Sequence, residues 1–235
     1  MFALLRWSEV ALFALVCSGV ASADTKDALL AKGRALFDAG DLDGAVRTYT
    51  EAIATAPQCS EAYFERGTVY ARQGRLPEAI TDFSAAIRHD ARNSAAYVNR
   101  GMAYWDSGEP RKAITDVTRA IDIDPADAAA YANRSAMYAA TGEYDLAMDD
   151  ANVAVRLSPE NPQAYSNRGV IRFRTGDSEG AIADASRAIA LAPTHKLGYY
   201  NRAEAYASLR RLDEALADCT RAIDLAPDDA PIRML

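Results

Sequence analysis

The chain has 235 residues, half of them apolar and a quarter charged, and 26 Lys and Arg against 33 Asp and Glu give a formal net charge of −7. That balance excludes an intrinsically disordered chain, which is poor in apolar residues, and argues against nucleic acid as a partner, since phosphate recognition needs a surplus of cations. Three Cys and two His are too few for a disulfide framework or a zinc cluster.

In chain order, residues 1–23 come first and read as a signal peptide. Arg6 precedes an apolar run from Val10 to Ala21, and Ala21-Ser22-Ala23 places small residues where a signal peptidase cuts. The run is too short to span a bilayer, which takes roughly 20 residues in a helix. The mature chain is therefore expected to begin at Asp24, exported to a bacterial periplasm and free of the membrane after cleavage. Glu9 favours the alternative of an uncleaved anchor. Cys17 follows the bulky Val16, unlike a lipoprotein site, and reads as a chance member of the apolar run.

From Lys26 to Asp229 the sequence repeats every 34 residues without a slip. Ala45, Ala79, Ala113, Ala147, Ala181 and Ala215 form one column, and Ala52, Ala86, Ala120, Ala154, Ala188 and Ala222 form another. Gly33, Gly67, Gly101, Ser135, Gly169 and Ala203 are a third, with tyrosines recurring on either side of it. The units are 26–59, 60–93, 94–127, 128–161, 162–195 and 196–229, leaving a tail of 230–235. Within a unit Tyr97, Gly101 and Tyr104 share one helical face, and Ile114, Val117, Ala120 and Ile121 share a second. Gly108 falls between the two, where a helix ends in the left-handed region, and Pro125 stops the second helix. One such hairpin cannot bury its own apolar face, so neighbouring units must stack. The predicted fold is all-α, an α-solenoid of six antiparallel helix pairs. Arg210 in a Gly column, Ala91 in a Pro column and a less regular first unit are the departures.

This pattern resembles the tetratricopeptide repeat family over nearly all of the chain beyond the signal peptide. The resemblance implies a right-handed superhelix, a right-handed α-solenoid whose first helices line a concave groove. In that groove Asn99, Asn133, Asn167 and Asn201 would form a ladder of amides, replaced by Ala31 and Glu65 in the first two units. An amide both donates and accepts, so such a ladder suits the backbone of an extended peptide. The alternative is that each Asn ties one helix to its neighbour. Further groove candidates are Phe64, Trp105, Phe173 and Tyr200 for apolar contact, and Glu61, Arg72, Asp106, Arg174 and Glu204 for charge. Of these Trp105 stands out, because it lies outside the repeating core columns.

Beside the Asn column run Arg66, Arg100, Arg134, Arg168 and Arg202, each followed sixteen residues later by Asp82, Asp116, Asp150, Asp184 and Asp218. Matched columns of opposite charge read as structural ion pairs rather than as an anion-binding stripe. The carboxylate clamp of cochaperone relatives is incomplete, since Leu30, Phe64 and Val98 stand where its Lys is expected. His89 and His195 are isolated and are both expected on the surface at the ends of second helices. With no phosphate loop, metal-ligand spacing or nucleophile elbow, no enzyme and no cofactor is expected. The function implied is a non-enzymatic scaffold that holds a protein or peptide segment in its groove. The alternative is a self-associating or complex-building envelope component acting through exposed ends, since Tyr206, Leu209, Leu212 and Leu216 have no further unit to cover them before the tail.

Overall fold

The structure, a computed structural model, describes residues 25–225, so the expected signal peptide, Pro227 and the tail lie outside the described residues. Its described residues form twelve α-helices. The first is α1 (25–38), followed by α2 (Leu42–Thr55), α3 (Ser60–Arg72), α4 (Leu76–His89), α5 (Ser94–Asp106) and α6 (Pro110–Ile123). The rest are α7 (Ala128–Thr141), α8 (Tyr144–Leu157), α9 (Pro162–Arg174), α10 (Ser178–Leu191), α11 (Lys196–Ser208) and α12 (Leu212–Leu225). Odd and even helices pair as hairpins, which is the all-α repeat architecture of the solenoid class. Two compact units divide the chain between Asp116 and Val117.

Helix ends are set by residues that recur with the repeat. Asn93, Asp127 and Asn161 occupy one column, and each accepts a backbone N–H from the first turn of the helix it opens. At the turn inside each pair, Gly40, Gly74, Gly108, Gly142 and Gly176 have φ between 73° and 89°. The next N–H then reaches back five residues, as Glu143 does to the Tyr138 carbonyl at 2.8 Å. Arg210 keeps the same conformation at φ 62° without being glycine. Ala91 takes the place of Pro without loss of the turn, because the Asp90 carboxylate accepts from the Arg92 N–H and the Asp90 carbonyl from the Asn93 N–H.

Pairing within each hairpin depends on small residues facing large ones. In the first unit a Cβ at Gly33 would lie 2.5 Å from the Tyr49 ring, and one at Gly67 would lie 2.9 Å from Phe83. Full burial of Phe83 contributes about 2–3 kcal/mol, so an alanine at Gly67 would displace one of the best-packed side chains. In the second unit the facing column shrinks to Ala151 and Cys219, and Ser135 and Ala203 replace glycine opposite them. The core of the first unit gathers Leu30, Ala45, Tyr49, Ala52, Ala62 and Val69. That of the second includes Ala147, Ala151 and Ile171, then Ala181, Ile182 and Ala205. Val69 and Val46, Ile171 and Met148, and Ala205 and Ile182 each share one cluster, in which a first helix packs with the preceding second helix.

His195 corrects one expectation. It is not at the end of a second helix but at the N-cap of α11, where its Nε2 lies 2.8 Å from the Ser166 hydroxyl. Its burial depresses the imidazole pKa. His89 does end α4, stacked on the Tyr63 ring.

Candidate functional site

Five arginines on first helices organise the interior of the helix pairs. Arg134 on α7 donates to both carboxylate oxygens of Asp150 on α8, at 2.7 and 2.8 Å, and its third nitrogen reaches the Thr118 hydroxyl at 3.0 Å. Arg66, Arg100, Arg168 and Arg202 do the same with Asp82, Asp116, Asp184 and Asp218. Their third contacts are Thr50, Ser84, Asn152 and Ser186, a column of hydrogen-bond acceptors on the preceding second helix. The carboxylate hydrogen bond is the main cause holding each guanidinium pKa above its ordinary value. Tyrosines three residues before and four after each arginine flank it at 5.6–5.9 Å in four of the five repeats, a cation–π bracket. In the remaining repeat Arg172 replaces the second tyrosine and gives Asp184 a further cationic partner at 3.1 Å. These arginines are consumed by the fold, so they offer no free anion-binding stripe.

The asparagines of the neighbouring column are half-buried on the same first helices. In the second unit Asn133 and Asn167 line one cavity of about 300 Å³ together with Ala129, Ala132, Asn161 and Gln163. Asn167 accepts a hydrogen bond from Gln163 Nε2 at 2.7 Å. It also borders a second cavity of about 190 Å³ whose remaining walls are Ser135, Ala136, Ala139, Val170 and Ile171. A polar pocket and an apolar pocket therefore share one amide, with the exposed Val170 at their margin. Asn201 is used differently, donating to the Ser166 carbonyl at 3.5 Å and so joining α11 to α9. In the first unit Asn99 lines a separate cavity of about 200 Å³ with Thr68, Phe83, Met102 and Asp106. Glu65, which takes the Asn place there, accepts from Arg34 instead.

The other candidates are scattered. Phe64 tilts against Phe83 at 5.9 Å, and Phe173 packs on Ala181, Ile182 and Ala205. Arg72 lies over the Phe37 ring at 4.8 Å, and Trp105 is half-buried in the last turn of α5. Arg174 is exposed at the end of α9, and Tyr200 donates to Glu204 at 3.4 Å. Gln163, Ala136, Ala139 and Val170 were not singled out from the sequence. Val170 shares the Asn167 face three residues on, which is the signal that would have found it. Among the described residues no three His, Cys, Asp or Glu side chains converge to hold a metal, and no helix is long and apolar enough to cross a membrane.

Stacked helix pairs with small-residue columns and exposed first-helix faces define a repeat protein of the helix-pair solenoid class. Models of the tetratricopeptide repeat match residues 30–96, 98–162, 154–196 and 197–229, and the chain belongs to that family. No curated protein matches the sequence. Solved structures with the same fold include MamA, at 23% identity and TM-score 0.62 over 70% of this chain and 96% of that one. YrrB, described as a tetratricopeptide repeat protein with an unusual peptide-binding site, matches at 19% and 0.63 over 79% and 95%. PilF of Pseudomonas aeruginosa matches at 13% and 0.78 over 91% and 97%.

Proposed function

We propose that this protein is a non-catalytic interaction scaffold that holds an extended peptide segment of a partner on the first-helix face of its second unit. The observation that carries the reading is the pair of cavities joined at Asn167. The polar one offers the amides of Asn133, Gln163 and Asn167 to a peptide backbone, and the apolar one accepts a small aliphatic side chain beside Val170. A strand of bound peptide alternates its side chains, so one amide flanked by a polar and an apolar pocket suits it. The likeness to YrrB supports a peptide as the ligand type. Sequence features alone support export with cleavage after Ala23.

The test is capture of partners from a bacterial envelope fraction by the intact chain and by a variant carrying Asn133→Ala and Asn167→Ala. The variant is expected to lose the partners that the intact chain retains. Identical partner sets from both, with both folded, would refute the groove reading. Export is checked by the mass of the protein recovered after expression, which should correspond to a chain beginning at Asp24.

A further inference from the structure

We infer that the chain associates head to tail with copies of itself, the open face of α12 in one copy receiving α1 of the next. The inference rests on columns that are covered wherever a further helix follows, and are open on the first and last described helices. Position Leu216 belongs to the column Val46, Ile80, Ile114, Met148 and Ile182. Ile182 is 9% exposed under Ala205 of α11, whereas Leu216 is 69% exposed and Leu212, one turn before it, 62%. An aliphatic residue is thus kept at a place where nothing among the described residues covers it. Burying the pair would remove the largest exposed apolar side chains on α12 from water.

The complementary face is on α1. Ala28 is exposed, although its counterparts Ala62, Ala96, Ala130, Ala164 and Gly198 are all buried. Ala35 is exposed, although Val69, Ala103, Met137, Ile171 and Ala205 are buried. These are the residues with which each first helix closes over the second helix before it. Seated by the same contact, Ala35 of one copy covers Leu216 of another, as Ala205 covers Ile182.

Polar groups match as well. Lys32 occupies the first place of the arginine column, but Thr48 stands where the paired aspartate would be. Lys32 is exposed and has no ion-pair partner among the described residues. At the other end Thr220 is the sixth member of the column that accepts each arginine's third hydrogen bond; its hydroxyl donates to the Leu216 carbonyl, as Thr50 and Ser84 donate to Val46 and Ile80, but no arginine among the described residues reaches it. In the inferred contact the Lys32 ammonium donates to Thr220 and faces the exposed Asp224 one helical turn further along α12. Because the two faces differ, the contact is heterologous and leaves one face open at each end of an assembly, which grows unless its rotation closes a ring.

Sedimentation velocity on the chain from Asp24 onward, which keeps every described helix, tests this over a wide concentration range. The intact chain is expected to show species that lengthen with concentration. Leu216→Glu and Ala35→Glu, both at exposed sites, should each weaken association about a hundredfold, because either carboxylate would be buried in the contact without a partner. Circular dichroism confirms that both remain folded. The decisive sample is their mixture. Each variant keeps one intact face, so together they should form a dimer that grows no further. A strictly monomeric intact chain, an Ala35→Glu variant that assembles normally, or a mixture that stays monomeric would each overturn the inference. The groove variant Asn133→Ala with Asn167→Ala should assemble like the intact chain, which separates this outcome from the fate of the peptide reading.

Discussion

Replacing Arg134 by Met keeps most of the side-chain stem and removes the guanidinium. Lost with it are two hydrogen bonds to Asp150, one to Thr118, and stacking between Tyr131 and Tyr138. What dominates is the residue left behind. Asp150 is only 6% exposed, and stranding one partner of a buried pair costs about 3–5 kcal/mol. The half-buried guanidinium places this pair toward the lower end, at about 3–4 kcal/mol, a large share of the 5–15 kcal/mol typical of a domain. Arg134→Lys retains charge but not the two-pronged geometry and should fall between Met and wild type. Arg134→Met together with Asp150→Leu removes both charges, so the pair should cost about 1–2 kcal/mol and show a coupling energy of at least about 2 kcal/mol. Urea unfolding gives the free energies. Amide exchange locates the loss, which should concentrate in α7 and α8 because repeats contact mainly their neighbours. A single-variant cost below about 1 kcal/mol, or a double variant no better than the single, would refute the claim that burial rather than surface attraction governs this column.

Two further changes bear on stability. Arg210→Gly should raise the unfolding midpoint by an equivalent of about 1 kcal/mol, since a side chain at φ 62° is strained and glycine is not, and calorimetry would read it. Tyr49→Phe should stabilise by about 1 kcal/mol at neutral pH, because the buried Tyr49 hydroxyl has no hydrogen-bond partner among the described residues. Burial also pushes the Tyr49 pKa up to about 12. With the folded value above the unfolded one near 10, the neutral phenol's contribution is intact below pH ~10 and lost as pH rises through ~12, about 2–3 kcal/mol in all. Alkaline titration followed by unfolding should show that loss in the wild type and a correspondingly smaller one in Tyr49→Phe.

Much of this architecture is written locally. A period of 34 residues, glycine at each inner turn and small residues facing aromatic ones define helix pairs one unit at a time, and unit copies reinforce each other. The spacing of sixteen between each Arg and Asp likewise names two residues that meet across one hairpin. Less legible was the third contact of each arginine, because Thr50, Ser84, Thr118, Asn152 and Ser186 form a mixed column whose members share only an oxygen acceptor.

The asparagine column shows where sequence stops. Four identical residues at identical spacing end in different roles. Asn133 and Asn167 border shared cavities, whereas Asn201 is tied to the Ser166 carbonyl, beside which His195 reaches the Ser166 hydroxyl. Their neighbours decide this, and some of those neighbours come from an adjacent repeat, as Ser166 does for Asn201 and Gln163 for Asn133. Composition and period therefore determined that the chain is a folded repeat of helix pairs whose Ala, Tyr and Ile columns supply the core. Tertiary structure alone decided which members of each column are spent on packing and which stay open. Exposure at Asn167, Leu216 or Ala35 depends on whether another helix lies over it, and that is a property of the stack, not of any unit within it.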